Sequence, residues 1–215
     1  MILSPGRGYV FIHIPKTGGT ALALALEARA MKDDIMLGDT PKARRRRRRL
    51  LGAQARGRLW KHSTLADIEG LVPDTVLEGL FAFTLVRNPW DRAVSYYHWL
   101  RGQGFDHPAV DLSKRLDFND FILHPETRSG FRETPAAAYM RRSDGRERCD
   151  AYIRIERFEE DAEPLVAHLG FRLDLPRTNR SDRPEDYRAA YSTRAAEAIA
   201  EACAEDIARF GYRFG

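Results

Sequence analysis

The sequence predicts an α/β protein in which parallel strands alternate with helices. Two observations carry this. A buried-type strand, a polar turn and a helix follow one another twice, at 9–29 and again at 81–100, and units of that kind build parallel sheets. The chain has 215 residues, 43% of them apolar and 31% charged, which suits one large domain spanning 1–215 and excludes a disordered chain.

The elements follow in order. Tyr9-Val10-Phe11-Ile12-His13-Ile14 is a β-branched and aromatic run, read as a buried strand. Pro15-Lys16-Thr17-Gly18-Gly19 breaks it, and 20–29 is rich in helix formers. Phe81-Ala82-Phe83-Thr84-Leu85-Val86 is the second strand. Asn88 then caps a helix with Pro89 at its first position, and Ala93, Val94, Tyr97 and Leu100 share one face. Residues 151–155 read as a third strand. Residues 164–169 read as a helix stopped by Gly170. A loop is expected over 172–186, with Pro176 and Pro184, and one last helix from the Ser192 cap through Arg209. Between 101 and 150 only 117–123 reads as helical.

Composition narrows the function classes. Two cysteines, Cys149 and Cys203, exclude a disulfide framework and a Cys-based zinc cage. No apolar run approaches the ~20 residues of a membrane span. Residues 1–15 lack a signal-peptide pattern, so a cytoplasmic location is expected. The net charge of +4 is uneven: nine of the 35 Lys and Arg fall in 42–58, where there is no acid, against 31 Asp and Glu overall. The rest of the chain is therefore acidic, and nucleic-acid binding does not follow from the net charge. Residues 42–58, with the run Arg44 to Arg49, read as a mobile basic insertion that attracts an anionic acceptor.

Two motifs carry chemistry. Pro15-Lys16-Thr17-Gly18-Gly19-Thr20 lies where a strand meets a helix start, so free backbone N–H groups and the positive helix end converge there. That is an anion site suited to phosphate; the glycines let the backbone approach, Lys16 adds charge, and Thr17 and Thr20 add hydroxyls. The lysine precedes the glycines, so this is not a Walker A loop. In Val86-Arg87-Asn88-Pro89-Trp90-Asp91-Arg92-Ala93-Val94-Ser95, Arg87 leaves the strand end and Ser95 lies two turns along the helix. A guanidinium and a hydroxyl there can share one phosphate. Asp91 and Arg92 read as electrostatic support for the helix start. His13, His98, His107, His124 and His168 show no metal-like spacing.

Together these motifs resemble the sulfotransferases, and more narrowly the branch of carbohydrate sulfotransferases and short bacterial relatives. Arg157-Phe158-Glu159, Asn179-Arg180-Ser181 and the ending at 206–214 fit as well. The likeness spans nearly the whole chain except 32–58 and parts of 101–150. The resemblance implies a P-loop-like three-layer fold and the donor 3′-phosphoadenosine 5′-phosphosulfate (PAPS), without a metal. Pro15, Lys16, Thr17, Gly18, Gly19 and Thr20 would hold the 5′-phosphosulfate, with Lys16 also catalytic. Arg87 and Ser95 would hold the 3′-phosphate. The acceptor would be a hydroxyl, of a glycan or glycolipid for example. His62, on a turn between the motifs, would be the catalytic base; relatives use either a histidine or a glutamate there. Two rival readings stay open: a P-loop-type nucleotide or small-molecule kinase, and a non-enzymatic anion or nucleic-acid binder working through the Arg-rich segment.

Overall fold

A computed structural model describes residues 1–176 and 186–215. The Asn179-Arg180-Ser181 stretch and Pro184 lie outside the described residues. The strands are β1 (Ile2–Ser4), β2 (Tyr9–Ile12), β3 (Ile35–Met36), β4 (Phe81–Val86) and β5 (Ala151–Arg154). The described helices are, in chain order, α1 (Gly19–Ala28), α2 (Pro41–Arg46), α3 (Asp74–Gly79), α4 (Pro89–Arg101), α5 (Pro108–Arg115), α6 (Phe118–Leu123), α7 (Pro125–Glu133), α8 (Ala136–Met140), α9 (Phe158–Asp161), α10 (Glu163–Leu169), α11 (Thr193–Ala202) and α12 (Ala204–Phe210). They fall into two compact units: Met1–Val86 with Ala136–Thr178, and Arg87–Pro135 with Asn179–Gly215.

The first unit holds one sheet, ordered β3-β1-β2-β4-β5. β2, β4 and β5 are parallel, whereas β1 is antiparallel to both of its neighbours. The expected parallel sheet is therefore mostly parallel, with one strand reversed. The cause is the short link from β1 to β2, a 3₁₀ turn at Pro5–Arg7 closed by Gly8 at φ +67°. So short a link can only reverse the chain; a parallel return needs a crossover. β1 has three residues and β3 two, too few to show a period in the sequence.

Successive residues of the strands face opposite ways, as a pleat requires. Ile2, Tyr9, Phe11, Phe83, Leu85, Ala151 and Ile153 pack with Leu22, Ala23 and Leu26 of α1 and Leu165 of α10. Leu3, Val10, Ile12 and Ala82 pack on the other face with Leu65, Ile68, Leu77 of α3 and Met140 of α8. Helices thus cover both faces, and the unit is α/β.

The second unit is helical. Its core gathers Trp90, Val94, Tyr97 and Leu100 of α4 with Phe121 and Ile122 of α6 and Ile199 of α11. Asn88 caps α4 through Trp90 N–H at 3.1 Å, with Pro89 at the first position, as its sequence predicts. The expected single last helix is two, broken at Cys203, which lies at φ −108°. The apolar spacing runs on through that break, so the sequence alone reads it as continuous. The irregular stretch expected over 101–150 contains α5, α7 and α8 beside α6. α5 and α7 open on His107-Pro108 and His124-Pro125, whose imidazole Nδ1 atoms accept from Ala109 and Glu126 N–H. Histidine is not an ordinary N-cap, and that hid both helices.

Candidate functional site

The chain leaves the sheet at Ile12, one residue before His13, so His13 follows the strand rather than sitting within it. Three successive carbonyls are then met by side chains. Thr84 Oγ1 donates to Ile12 O at 2.8 Å, His62 Nδ1 to His13 O at 2.7 Å, and Thr17 Oγ1 to Ile14 O at 2.9 Å. A buried carbonyl without a donor costs about 1–3 kcal/mol, so these three clamps fix the entry to the turn. Thr84 and Thr17 are buried for this purpose. The Thr17 hydroxyl proton is therefore spent inside the loop, whereas Thr20 is exposed.

Lys16 takes φ +67° and Gly18 φ +86°. A left-handed lysine costs about 1–2 kcal/mol, and such strain collects at working sites. Gly18 and Gly19 are also required by packing. A Cβ on Gly18 would lie 2.0 Å from Ile155 Cδ1, and one on Gly19 would lie 2.1 Å from His13 Cδ2. α1 starts at Gly19 with Gly18 as its N-cap, so no side-chain cap bond closes its start. Its ten residues carry a helix dipole whose positive end opens on this turn. The anion site expected at 15–20 is thus an uncapped helix start entered through a strained, clamped turn.

His62 lies beside that entry. Its ring is 4.7 Å from the His13 ring at 68° and 5.0 Å from the Trp60 ring at 84°. A carbonyl only accepts, so the 2.7 Å contact to His13 O puts the His62 proton on Nδ1. Nε2 is left with its lone pair, and among the described residues no protein group bonds it. Burial pulls the imidazole down from 6.5 to about 4, partly opposed by the His13 carbonyl and helped by the Lys61 charge. Burial also holds His13 well below its usual range. Both rings are neutral at pH 7. Lys61 is paired with Asp39 at 2.7 Å, so it is not a second base. The segment after His62 is a run of turns. Its cap forms as a reciprocal pair, Thr64 N–H to Asp67 Oδ2 at 2.8 Å and Asp67 N–H to Thr64 Oγ1 at 3.1 Å. Gly70 at φ +91° ends it. Trp60, 41% exposed, stands next to His62 with the Arg58 guanidinium 5.1 Å from its ring. The sequence reading passed over it; a lone tryptophan beside a charge run carries no spacing signal.

The other expected residues belong to the second unit. Arg87 Nε and Nη2 both reach Asp91 Oδ2 at 2.7 Å, and both side chains are mostly buried. Ser95 is buried one turn beyond Asp91 on the same face of α4. Asp91, expected to support the helix start, instead engages the arginine directly.

The basic segment carries local structure. Thr40 caps α2, Ala43 is buried, and Arg47–Leu50 form a 3₁₀ turn. Lys42 Nζ donates to Glu27 O, Arg46 Nη1 to Met31 O at 2.7 Å and Arg49 Nη1 to Lys32 O at 2.7 Å. Cations thus meet the carbonyls at and beyond the C-terminus of α1, where the helix dipole favours them. Arg44, Arg45, Arg47 and Arg48 are exposed. A cavity of about 280 Å³ lies along the seam, lined by Asp34, Met36, Arg46, Arg49 and Leu71 among others. Outside the motif residues, Arg157 pairs with Glu160.

Among the described residues no group of three or more His, Cys, Asp or Glu could hold a metal ion. No described helix is long and apolar enough to cross a membrane. Comparison with protein-family models, with characterised proteins and with solved structures returns no match.

Proposed function

We propose that this chain is a PAPS-dependent sulfotransferase of P-loop-like fold, moving a sulfuryl group to an acceptor hydroxyl. The observation that carries the reading is the pairing, within the first unit, of an uncapped α1 start with a neutral histidine braced against the same turn. The first is what an anionic donor needs; the second is what an acceptor hydroxyl needs.

Sulfuryl transfer, like phosphoryl transfer, asks the protein for positioning and charge stabilisation more than for covalent chemistry. The N–H groups opening α1 hold the 5′-phosphate oxygens. Lys16 neutralises charge on the oxygen that the sulfuryl group leaves. His62 Nε2 accepts the hydroxyl proton as the acceptor oxygen attacks sulfur, and the new N–H charges the ring. Nδ1–H stays on the His13 carbonyl throughout, so the imidazole does not turn. The exposed Trp60 ring gives the acceptor an apolar surface next to the base. On the second unit, Arg87 takes the 3′-phosphate by exchanging Asp91 for it, with the Ser95 hydroxyl as a further donor.

The test is calorimetric titration with 3′-phosphoadenosine 5′-phosphate, the same ligand without its 3′-phosphate, and ATP with magnesium. Labelled PAPS is then offered with sugars, lipids and small alcohols. The first ligand should bind best, and label should pass to a hydroxyl. Tighter ATP binding would favour the kinase reading. Binding only of polyanions, lost at moderate salt, would favour the non-enzymatic one.

A further inference from the structure

We propose that His13 is a positioning residue that couples the anion-binding turn to the His62 base. The inference rests on the reading of the turn and of His62 given above, and adds a residue to it.

Three contacts of His13 converge. Its carbonyl accepts from His62 Nδ1 at 2.7 Å and so sets which nitrogen faces the acceptor. Its ring meets the His62 ring at 4.7 Å and is stacked on Phe11 at 5.8 Å. The same ring abuts Gly19, the first residue of α1, where even a methyl group would overlap Cδ2 and Nε2. His13 is 7% exposed, so the ring has no vacant space to turn into. A displacement of the α1 start is therefore passed to His62 through one rigid side chain. The flanking clamps keep this lever stiff, since the carbonyls before and after it are bonded to Thr84 and Thr17.

The lever acts in a set of mostly basic groups. Lys61 and Asp39 face His62, Lys16 adds its charge at His13, and the Met1 amino group beside them, pulled down to about 5 by burial, is neutral at pH 7. An anion on the turn opposes those cations, so occupancy favours the protonated form of His62. The pull is largest if the ring stays in place as the anion arrives, and that is what His13 secures.

The experiment is ¹⁵N imidazole NMR of the full chain, with and without 3′-phosphoadenosine 5′-phosphate, for the native protein, His13→Ala and His13→Gln. In the native protein His62 should titrate near 4, with its proton on Nδ1, and shift upward when the ligand binds. In His13→Ala the free value should rise toward 6.5 as water enters, and the ligand should add less. Turnover should fall about tenfold with donor affinity nearly unchanged, as when an outer residue orients an inner one. His13→Gln, which keeps bulk without the ring, should fall between the two and serves if the alanine variant does not fold. An unchanged His62 titration and ligand response in either folded variant overturns the proposal. Full turnover in His62→Asn would instead remove the base reading, and the NMR response would still report whether His13 positions the ring.

Discussion

The two strand–turn–helix units share a sequence grammar and differ at the helix start. After β2 the turn spends two left-handed residues and two sterically required glycines, and α1 begins with no side-chain cap. After β4 the turn has neither; Asn88 caps α4, Pro89 fills the first position, and Arg87 is already paired with Asp91. The first helix start has no side-chain cap to meet its free N–H groups. The second is satisfied by its own side chains, and an anion must compete for Arg87. So the first turn carries a standing strain and leaves its helix start uncapped, whereas the second is closed by its own side chains.

The largest expected effect tests the histidine braced on the first turn. His62→Asn keeps an amide N–H near the Nδ1 position and can still serve the His13 carbonyl, but it has no Nε2. Turnover should fall by ~10²–10⁴-fold with donor binding intact. His62→Ala also leaves that carbonyl unmet and should lower stability by about 1–3 kcal/mol. The two variants together separate base from brace, by denaturant midpoint and by rate. At low donor concentration, where the native rate reads the free protein, it should be flat with pH above about 5 and decline toward 4, because the reactive form is the neutral ring. Stability follows the same direction. The unfolded imidazole binds a proton near 6.5 and the folded one only near 4, so falling pH favours the unfolded chain across that window. The loss is at most about 3 kcal/mol, read as the pH dependence of Tm in native protein against His62→Asn.

Second in size is Gly18→Ala. The new methyl meets Ile155 at 2.0 Å, and the backbone stands at φ +86°. A loss of about 2–4 kcal/mol is expected, from overpacking plus left-handed strain. Donor affinity should fall with it. A folded, fully binding Gly18→Ala protein would break the contrast at its first term.

Much of this contrast was legible in the sequence, and the rest was hidden for stateable reasons. The β2 and β4 strands, the Asn88 cap and the Gly170 stop rest on local patterns that tertiary packing did not override. β1 and β3 are set by pairing rather than by period, so their short runs gave no signal. The His62–His13 bond joins residues 49 apart through a carbonyl that every residue carries. No residue type in the sequence could announce it. Arg87 was legible as a cation at a strand end; its pairing with Asp91 was open to the i, i+4 rule but was read as helix support.

Third is Arg87→Ala. Charged hydrogen bonds contribute about 1.5–3 kcal/mol, and part of this is already balanced by Asp91 in the free protein. A loss of about tenfold in affinity is expected, confined to ligands with a 3′-phosphate. Asp91→Asn removes the competitor and should raise that affinity severalfold. Equal affinity of the native protein for ligands with and without the 3′-phosphate would take Arg87 and Ser95 out of the donor site.

The smallest effect bears most directly on the second turn. Asn88 Oδ1 accepts from Trp90 N–H at 3.1 Å and Asp91 N–H at 3.4 Å, and its amide donates to Arg213 O at 3.0 Å. Asn88→Ala should cost about 1 kcal/mol of stability, the usual loss of a cap, with slightly more from the orphaned Arg213 carbonyl. Donor affinity should barely change, because the cap serves the fold. Asn88→Asp restores the accepting oxygen and adds a charge that the helix dipole favours, but its second oxygen meets the Arg213 carbonyl in place of a donor, so stability should recover only in part. That same charge sits one residue from Arg87 and should weaken binding of a 3′-phosphate a few fold, more at low salt than at high. The two substitutions therefore move stability and affinity in separate directions, by denaturation and by calorimetry. If Asn88→Ala instead abolishes donor binding while the protein stays folded, α4's start is itself an anion site and the two turns are alike.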